Sequence, residues 1–203
     1  MKRIALALLL SGMTLAIYAQ RDIKVNFKGS KPNVVDFAKA AFVYLNADDD
    51  EPGDRPWRSV EEAIIRHSKG LPQLDDVTLI IDVKNGYIMF EQVFDEDEDY
   101  ICRMEICYWN ESDGKHKLIA FNNTESFAEG RPVFTETHGL DFYRYNNATK
   151  HMVSVNSPGF KVDYGLTYSM PRIGKNIEVT HWDYENGTNI KKTLKWNGRK
   201  FSF

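Results

Sequence analysis

The chain has 203 residues, 26 basic and 29 acidic, with a formal net charge of −3. With no basic cluster to offset it, that balance argues against a nucleic-acid or anionic-membrane partner. No spacing along the chain matches a catalytic or metal-binding motif, so the sequence speaks first about compartment and fold.

Residues 1–19 read as an export signal. Lys2 and Arg3 form a charged n-region, and the apolar stretch from Ile4 to Leu10, extended beyond Ser11, forms an h-region too short to span a bilayer. Cleavage is expected after Ala19. No cysteine precedes Cys102, so a lipid anchor has no attachment point, and the product is expected to be periplasmic or secreted. Residues 20–203 are then expected to form one domain of 184 residues. Without Lys2 and Arg3 the balance is 24 basic to 29 acidic, about −5.

Ile23, Val25 and Phe27 alternate with polar residues, a short strand expected to pair with an edge of the main sheet. Asn33 caps a helix whose apolar residues Val34, Phe37, Ala38, Ala41, Phe42 and Leu45 form a single stripe. Residues 46–55, NADDDEPGDR, resemble the opening of a calcium loop, but Pro52 occupies a ligand position and Ser59 stands where a bidentate Glu belongs, which favours a solvated loop. Ser59 and Glu62 have the form of a capping box and predict a second helix ending at Gly70, with His67 on its apolar stripe.

Residues 77–121 read as four consecutive antiparallel strands, the expected core. Asn85-Gly86 predicts a two-residue hairpin that pairs Lys84 with Tyr87 and puts Leu79, Ile81, Val83, Ile88 and Phe90 on one face. Residues 95–99 are five consecutive acids, expected to be an exposed connection. Cys102 and Cys107 lie five apart on one strand, hence on opposite faces, and are expected to be free, buried thiols. A second hairpin is predicted at Ser112-Asp113-Gly114. Further on, Leu140, Phe142 and Arg144 alternate with Asp141, Tyr143 and Tyr145 up to a turn at Asn146-Asn147. The final third repeats the construction, with turns at residues 171–174, 186–187 and 197–198. Residues 105–114 and 178–187 share the form E-[IV]-x-x-W-[ND]-x-x-[DN]-G, which suggests either a duplication or convergent turn chemistry.

The segments IDVKNGY, CYWNESDGKHKL, LDFYRYNNATKHM and LKWNGRKF together resemble small exported proteins of unassigned function from Bacteroides-type gut bacteria. The resemblance covers the chain from about Lys31 onward. It implies an exported α+β domain and carries no catalytic residues with it.

The chain lacks G-x-S-x-G, H-E-x-x-H and C-x-x-C, and its five histidines show no pairwise ligand spacing, although His116 and His138 flank the sheet's loops. No catalytic residue, metal ligand or cofactor is therefore assigned. The strongest candidate site is aromatic. Tyr108, Trp109, Trp182, Tyr184 and Trp196 lie at strand ends beside glycine-containing turns, where they could form a stacking platform for a glycan or peptide or instead cap the rim of the core. The expected fold is α+β: two N-terminal helices on a long antiparallel meander with scope to curl into a partial barrel. The expected function is an exported binding or interaction module for a glycan, peptide or envelope partner. The competing class is a hydrolase using carboxylate or histidine chemistry in a loop-lined cleft.

Overall fold

A computed structural model describes residues 22–46, 56–94, 100–127, 130–135 and 138–203. The export signal, the calcium-like run at 47–55 and the acids at 95–99 lie outside these residues. Eight strands form one antiparallel sheet: β1 (Asp22–Lys24), β2 (Val77–Asp82), β3 (Tyr87–Phe94), β4 (Tyr100–Asn110), β5 (His116–Ser126), β6 (Pro132–Val133), β7 (Gly139–Asn146) and β8 (His151–Val155). Their spatial order is β1-β8-β7-β5-β4-β3-β2, with the short β6 added to β5. The meander predicted between 77 and 121 is therefore real, and β1 joins its far edge through β8.

Helices α1 (Val34–Leu45) and α2 (Pro56–Ser68) carry the chain from one edge of this sheet to the other. The α1 cap forms as expected: the Asn33 side chain accepts from the Val35 backbone at 2.8 Å, and Asp36 accepts from the Asn33 backbone at 2.8 Å. Val34, Phe37, Ala38, Ala41 and Phe42 are buried beneath it. The second helix starts four residues earlier than the capping-box pattern implies. Pro56 occupies its first turn, where a missing N–H costs nothing, so Ser59 lies inside the helix. His67, expected on the apolar stripe, is instead exposed, one turn beyond the buried Ala63 and Ile64.

The first hairpin departs from its expected register by two residues. Asp82 pairs with Tyr87, Ile81 with Ile88 and Leu79 with Phe90. An even shift preserves the faces, so these four apolar residues still share the helix-side core. Val83, however, is carried into the loop and is 49 % exposed. A type I′ turn needs positive φ at both central residues, and here only Gly86 has it, at 69°. The loop instead spans residues 83–86 and is held by the Asp82 carboxylate, which accepts from the Asn85 backbone at 3.1 Å.

The same device recurs. Asn146 accepts from the backbone N–H groups of Ala148 and Thr149 at 2.8 and 3.3 Å, and Asp183 from those of Glu185 and Asn186 at 3.1 and 3.2 Å. Each of these three loops has four residues and a left-handed fourth: Gly86, Lys150 and Gly187. Lys150 is the exception in residue type, at φ 62°. Lys150→Gly relieves a conformation that costs an L-residue about 1–2 kcal/mol, against a larger loss of chain entropy and a weak contact of its Nζ with the Phe27 ring. A net stabilisation of about 0.5 kcal/mol is expected, seen as a higher urea midpoint at unchanged slope.

The last third of the chain does not extend the meander or close it into a barrel. After β8 it breaks at residues 156–166 and folds back as a second antiparallel sheet of β9 (Thr167–Ser169), β10 (Ile177–Asp183), β11 (Thr188–Trp196) and β12 (Phe201–Ser202), in the order β12-β11-β10-β9. This sheet covers the face of the large sheet opposite the helices. The molecule thus has two cores sharing one sheet. On the helix side Ile88, Met104, Ile106, Ile119, Phe121 and Tyr145 meet α1 and α2; on the other, Tyr87, Cys107, Trp109, Leu118, Phe142 and Leu140 meet Ile177, Val179, Leu194, Trp196 and Phe201. Cys102 and Cys107 fall on opposite sides, free and buried as expected, and burial raises both thiols, Cys102 to about 12.

A buried polar staple joins the sheets. Glu105 is 4 % exposed and accepts from the Tyr87 hydroxyl at 2.7 Å, the Met170 backbone at 3.1 Å and the Asn122 amide at 3.2 Å. The same Asn122 amide also donates to the Tyr168 carbonyl at 2.7 Å. Burial pushes the Glu105 carboxyl up, partly opposed by these bonds.

Candidate functional site

A cleft of about 460 Å³ opens at one end of the inter-sheet side. Four separate segments line it. The β4–β5 loop and the start of β5 bring Glu111, Ser112, Asp113 and Leu118, β7 supplies Arg144 near its C-terminal end, the end of β8 and the break after it supply Val155, Asn156 and Pro158, and the β11–β12 turn brings Arg199. The two hairpin tips are tied together: the Ser112 N–H donates to the Gly198 carbonyl at 2.8 Å, and Arg199 Nε donates to Ser112 Oγ at 3.3 Å.

Arg144 is the centre of the polar wall. Its Nε and Nη2 donate to the two Glu111 carboxylate oxygens at 2.8 and 2.5 Å, and Asp113 lies 3.6 Å from Nη2. Such a two-pronged guanidinium–carboxylate pair fixes both side chains in one plane. Asp113 is also gripped by His116, whose Nδ1 lies 2.6 Å from its Oδ2, while the backbone N–H groups of Lys115 and His116 donate to Oδ1 at 2.8 and 3.0 Å. The hydrogen bond from His116 leads these causes in holding the Asp113 carboxyl down at about 2. On the other side of the imidazole, the Asn146 amide reaches Nε2 at 3.3 Å, which fits a ring protonated at Nδ1.

Donor atoms of Glu111, Asp113 and His116 lie within 4.8 Å of one another. That spacing could serve a divalent ion, but the Arg144 guanidinium already occupies the cationic position between the carboxylates. The group is an ion-paired hub in its present geometry. Asp113 itself is held ionised at neutral pH and so is not available there as a general acid.

The five aromatic residues singled out in the sequence do not share a surface. Tyr108 points to the helix side, with the Lys117 ammonium 4.5 Å from its ring centre. Trp109 and Trp196 are buried between the sheets, their rings 6.1 Å apart, and Trp109 Nε1 donates to the Lys175 carbonyl at 2.9 Å. Trp182 and Tyr184 remain together at the β10–β11 tip, 6.3 Å apart, with Tyr184 63 % exposed. The separation follows from strand parity, since neighbours 108 and 109 must face opposite sides of a sheet covered on both. His138 is buried elsewhere, its Nε2 3.1 Å from the Leu166 carbonyl.

Two further points concern the repeated W-[ND]-x-x-[DN]-G segments. The first loop has six residues between the paired Asn110 and Lys117, the second four between Asp183 and Thr188. Their equivalent glutamates also differ, Glu105 being buried and Glu178 exposed. The shared pattern therefore serves two different loops and two different environments.

The cleft residues carried one legible signal: Arg144 shares strand parity with Leu140 and Phe142 and so places a charge on a core face. Glu111 and Arg199 carried none, because only the stacking of the second sheet brings residue 199 beside residue 112. No family model, curated protein or solved structure matches the chain.

Proposed function

We propose that the chain is an exported binding module that holds a small polar ligand in the inter-sheet cleft. The observation that carries this is the convergence of four chain segments on one concave site with fixed polar groups, the usual form of a ligand pocket. Hydrolysis by carboxylate chemistry is disfavoured at this cleft by the same groups. Carboxylate chemistry on a glycoside needs one acid that stays protonated, whereas Glu111 is clamped by Arg144 and Asp113 is held ionised. Export is supported by the charged and apolar segments at the N-terminus and by the resemblance noted above. Among the described residues no helix is long and apolar enough to cross a membrane.

A thermal-shift screen of the full chain against short peptides and oligosaccharides tests the site. A ligand at one hundred times its Kd adds about 2.7 kcal/mol, or roughly 5–10 °C for a domain of this size. Asn156→Trp, which puts bulk into the cleft from an exposed position, is expected to abolish that shift while leaving the ligand-free Tm in place. A shift that survives Asn156→Trp would move the binding site elsewhere.

A further inference from the structure

Building on the assignment of the cleft as the ligand site, we propose that it captures the C-terminal carboxylate of a peptide ending in an aliphatic residue. The hydrogen-bonding capacity of the lining is unbalanced. Both carboxylates are already satisfied: Glu111 by Arg144, Asp113 by His116 and two backbone N–H groups. The cations are not. Arg144 commits Nε and Nη2 to Glu111, and Arg199 commits Nε to Ser112, while Arg144 Nη1 and both terminal nitrogens of Arg199 have no partner among the described residues. What the cleft offers a ligand is therefore a set of solvent-accessible guanidinium donors, and a carboxylate matches their planar fork.

The rest of the wall selects the body of the ligand. Leu118, Val155 and Pro158 line the cleft, and among the described residues no aromatic ring does. Sugar rings are commonly held against aromatic faces, and the half-buried Trp182 and exposed Tyr184 at the β10–β11 tip are not among the lining residues. An aliphatic wall beside unpaired guanidinium N–H groups suits a terminal Val, Leu or Ala whose carboxylate meets Arg199. Asn156 adds an amide able to pair with the peptide backbone.

Calorimetric titration of the full chain with acetyl-dialanyl-valine, with the same tripeptide as its C-terminal amide, and with glucuronate tests this. The free acid is expected to bind at least about tenfold more tightly than the amide. Arg199→Gln, at an exposed turn, is expected to lose about the same factor with its Tm unchanged, and added salt should weaken the wild type more than the variant. Equal binding of acid and amide, or indifference to Arg199→Gln, would overturn the proposal. Arg199-dependent binding of glucuronate without the peptide would overturn it in favour of an acidic sugar. If none of the probes binds, the proposal falls; the broader assignment of the cleft falls only if the Asn156→Trp comparison also finds no ligand there.

Discussion

Replacing Gly159 by alanine is expected to destabilise the protein by about 2–5 kcal/mol, although the residue lies on the surface. Two costs combine. Its φ is +92°, where a side chain is strained, and a Cβ there would sit 2.3 Å from the Phe201 carbonyl oxygen and 2.9 Å from Lys200 Cβ. The clashing oxygen is backbone and cannot rotate away. The neighbouring Pro158 carbonyl accepts from the Phe201 N–H at 2.8 Å, so the chain break after β8 is sewn directly to β12. Phe201 is fully buried among Trp109, Trp196, Phe142 and Phe160, with ring centres 4.7 to 6.2 Å away. Any shift that relieved the clash would therefore be transmitted into the inter-sheet core. Gly174 provides the internal control: its φ is +95°, yet nothing lies within 4 Å of the added Cβ. Gly174→Ala should lose only the backbone share, about 1–2 kcal/mol. Denaturant titrations of both variants measure the difference, and equal losses would contradict the close approach of 159 to 201.

Removal of the Glu105 carboxylate is expected to cost about 3 kcal/mol in Glu105→Ala. Three donors lose their acceptor in a dry interface: the Tyr87 hydroxyl, the Met170 N–H and the Asn122 amide, each worth about 1–3 kcal/mol when orphaned. Relief of a buried charge offsets part of this sum. Glu105→Gln retains an acceptor oxygen, and its amide can donate to the Tyr87 hydroxyl, so the loss near neutral pH should be small. The pH dependence of the wild type against Glu105→Gln reports the carboxyl itself, because glutamine does not titrate. The folded-state pKa of Glu105 is raised, so its protonation favours the folded state. That contribution is complete below the unfolded glutamate value of about 4.3 and is lost as pH rises through the raised folded value. The wild type should therefore compare best with Glu105→Gln at or below about pH 4 and lose ground as pH rises above it. A difference that is flat, or that runs the other way, would mean the carboxyl is not raised.

These two positions also show where sequence reasoning reaches and where it stops. The capped helix at Asn33, the strands from 77 to 121 and the turns near 85, 113, 146, 186 and 197 were legible because each is encoded within a few residues by apolar period, Asx side chains and glycine. The opposite faces of Cys102 and Cys107 followed from strand parity alone. The register of the first hairpin was misjudged for a local reason: Asp82 competes as a turn cap and lengthens the loop. Nothing in their neighbours marks Gly159 or Glu105, and the position of Trp109 beside a glycine turn suits a stacking platform as readily as the rim of a core. All three acquire their roles from the second sheet.

The sequence by itself determined the elements: which residues lie on strands and helices, where most turns fall, and which side chains alternate, since hydrophobic period and turn chemistry are properties of neighbouring residues. Only the tertiary structure decided that the last four strands fold back over the large sheet instead of continuing it. That choice buries Trp109 and Trp196, staples Glu105 to Met170, and places Arg199 beside Ser112 and within reach of the same cleft as Arg144. Contacts between residues 65 to 90 positions apart are set by how two finished sheets pack, and no short-range pattern in the chain encodes them.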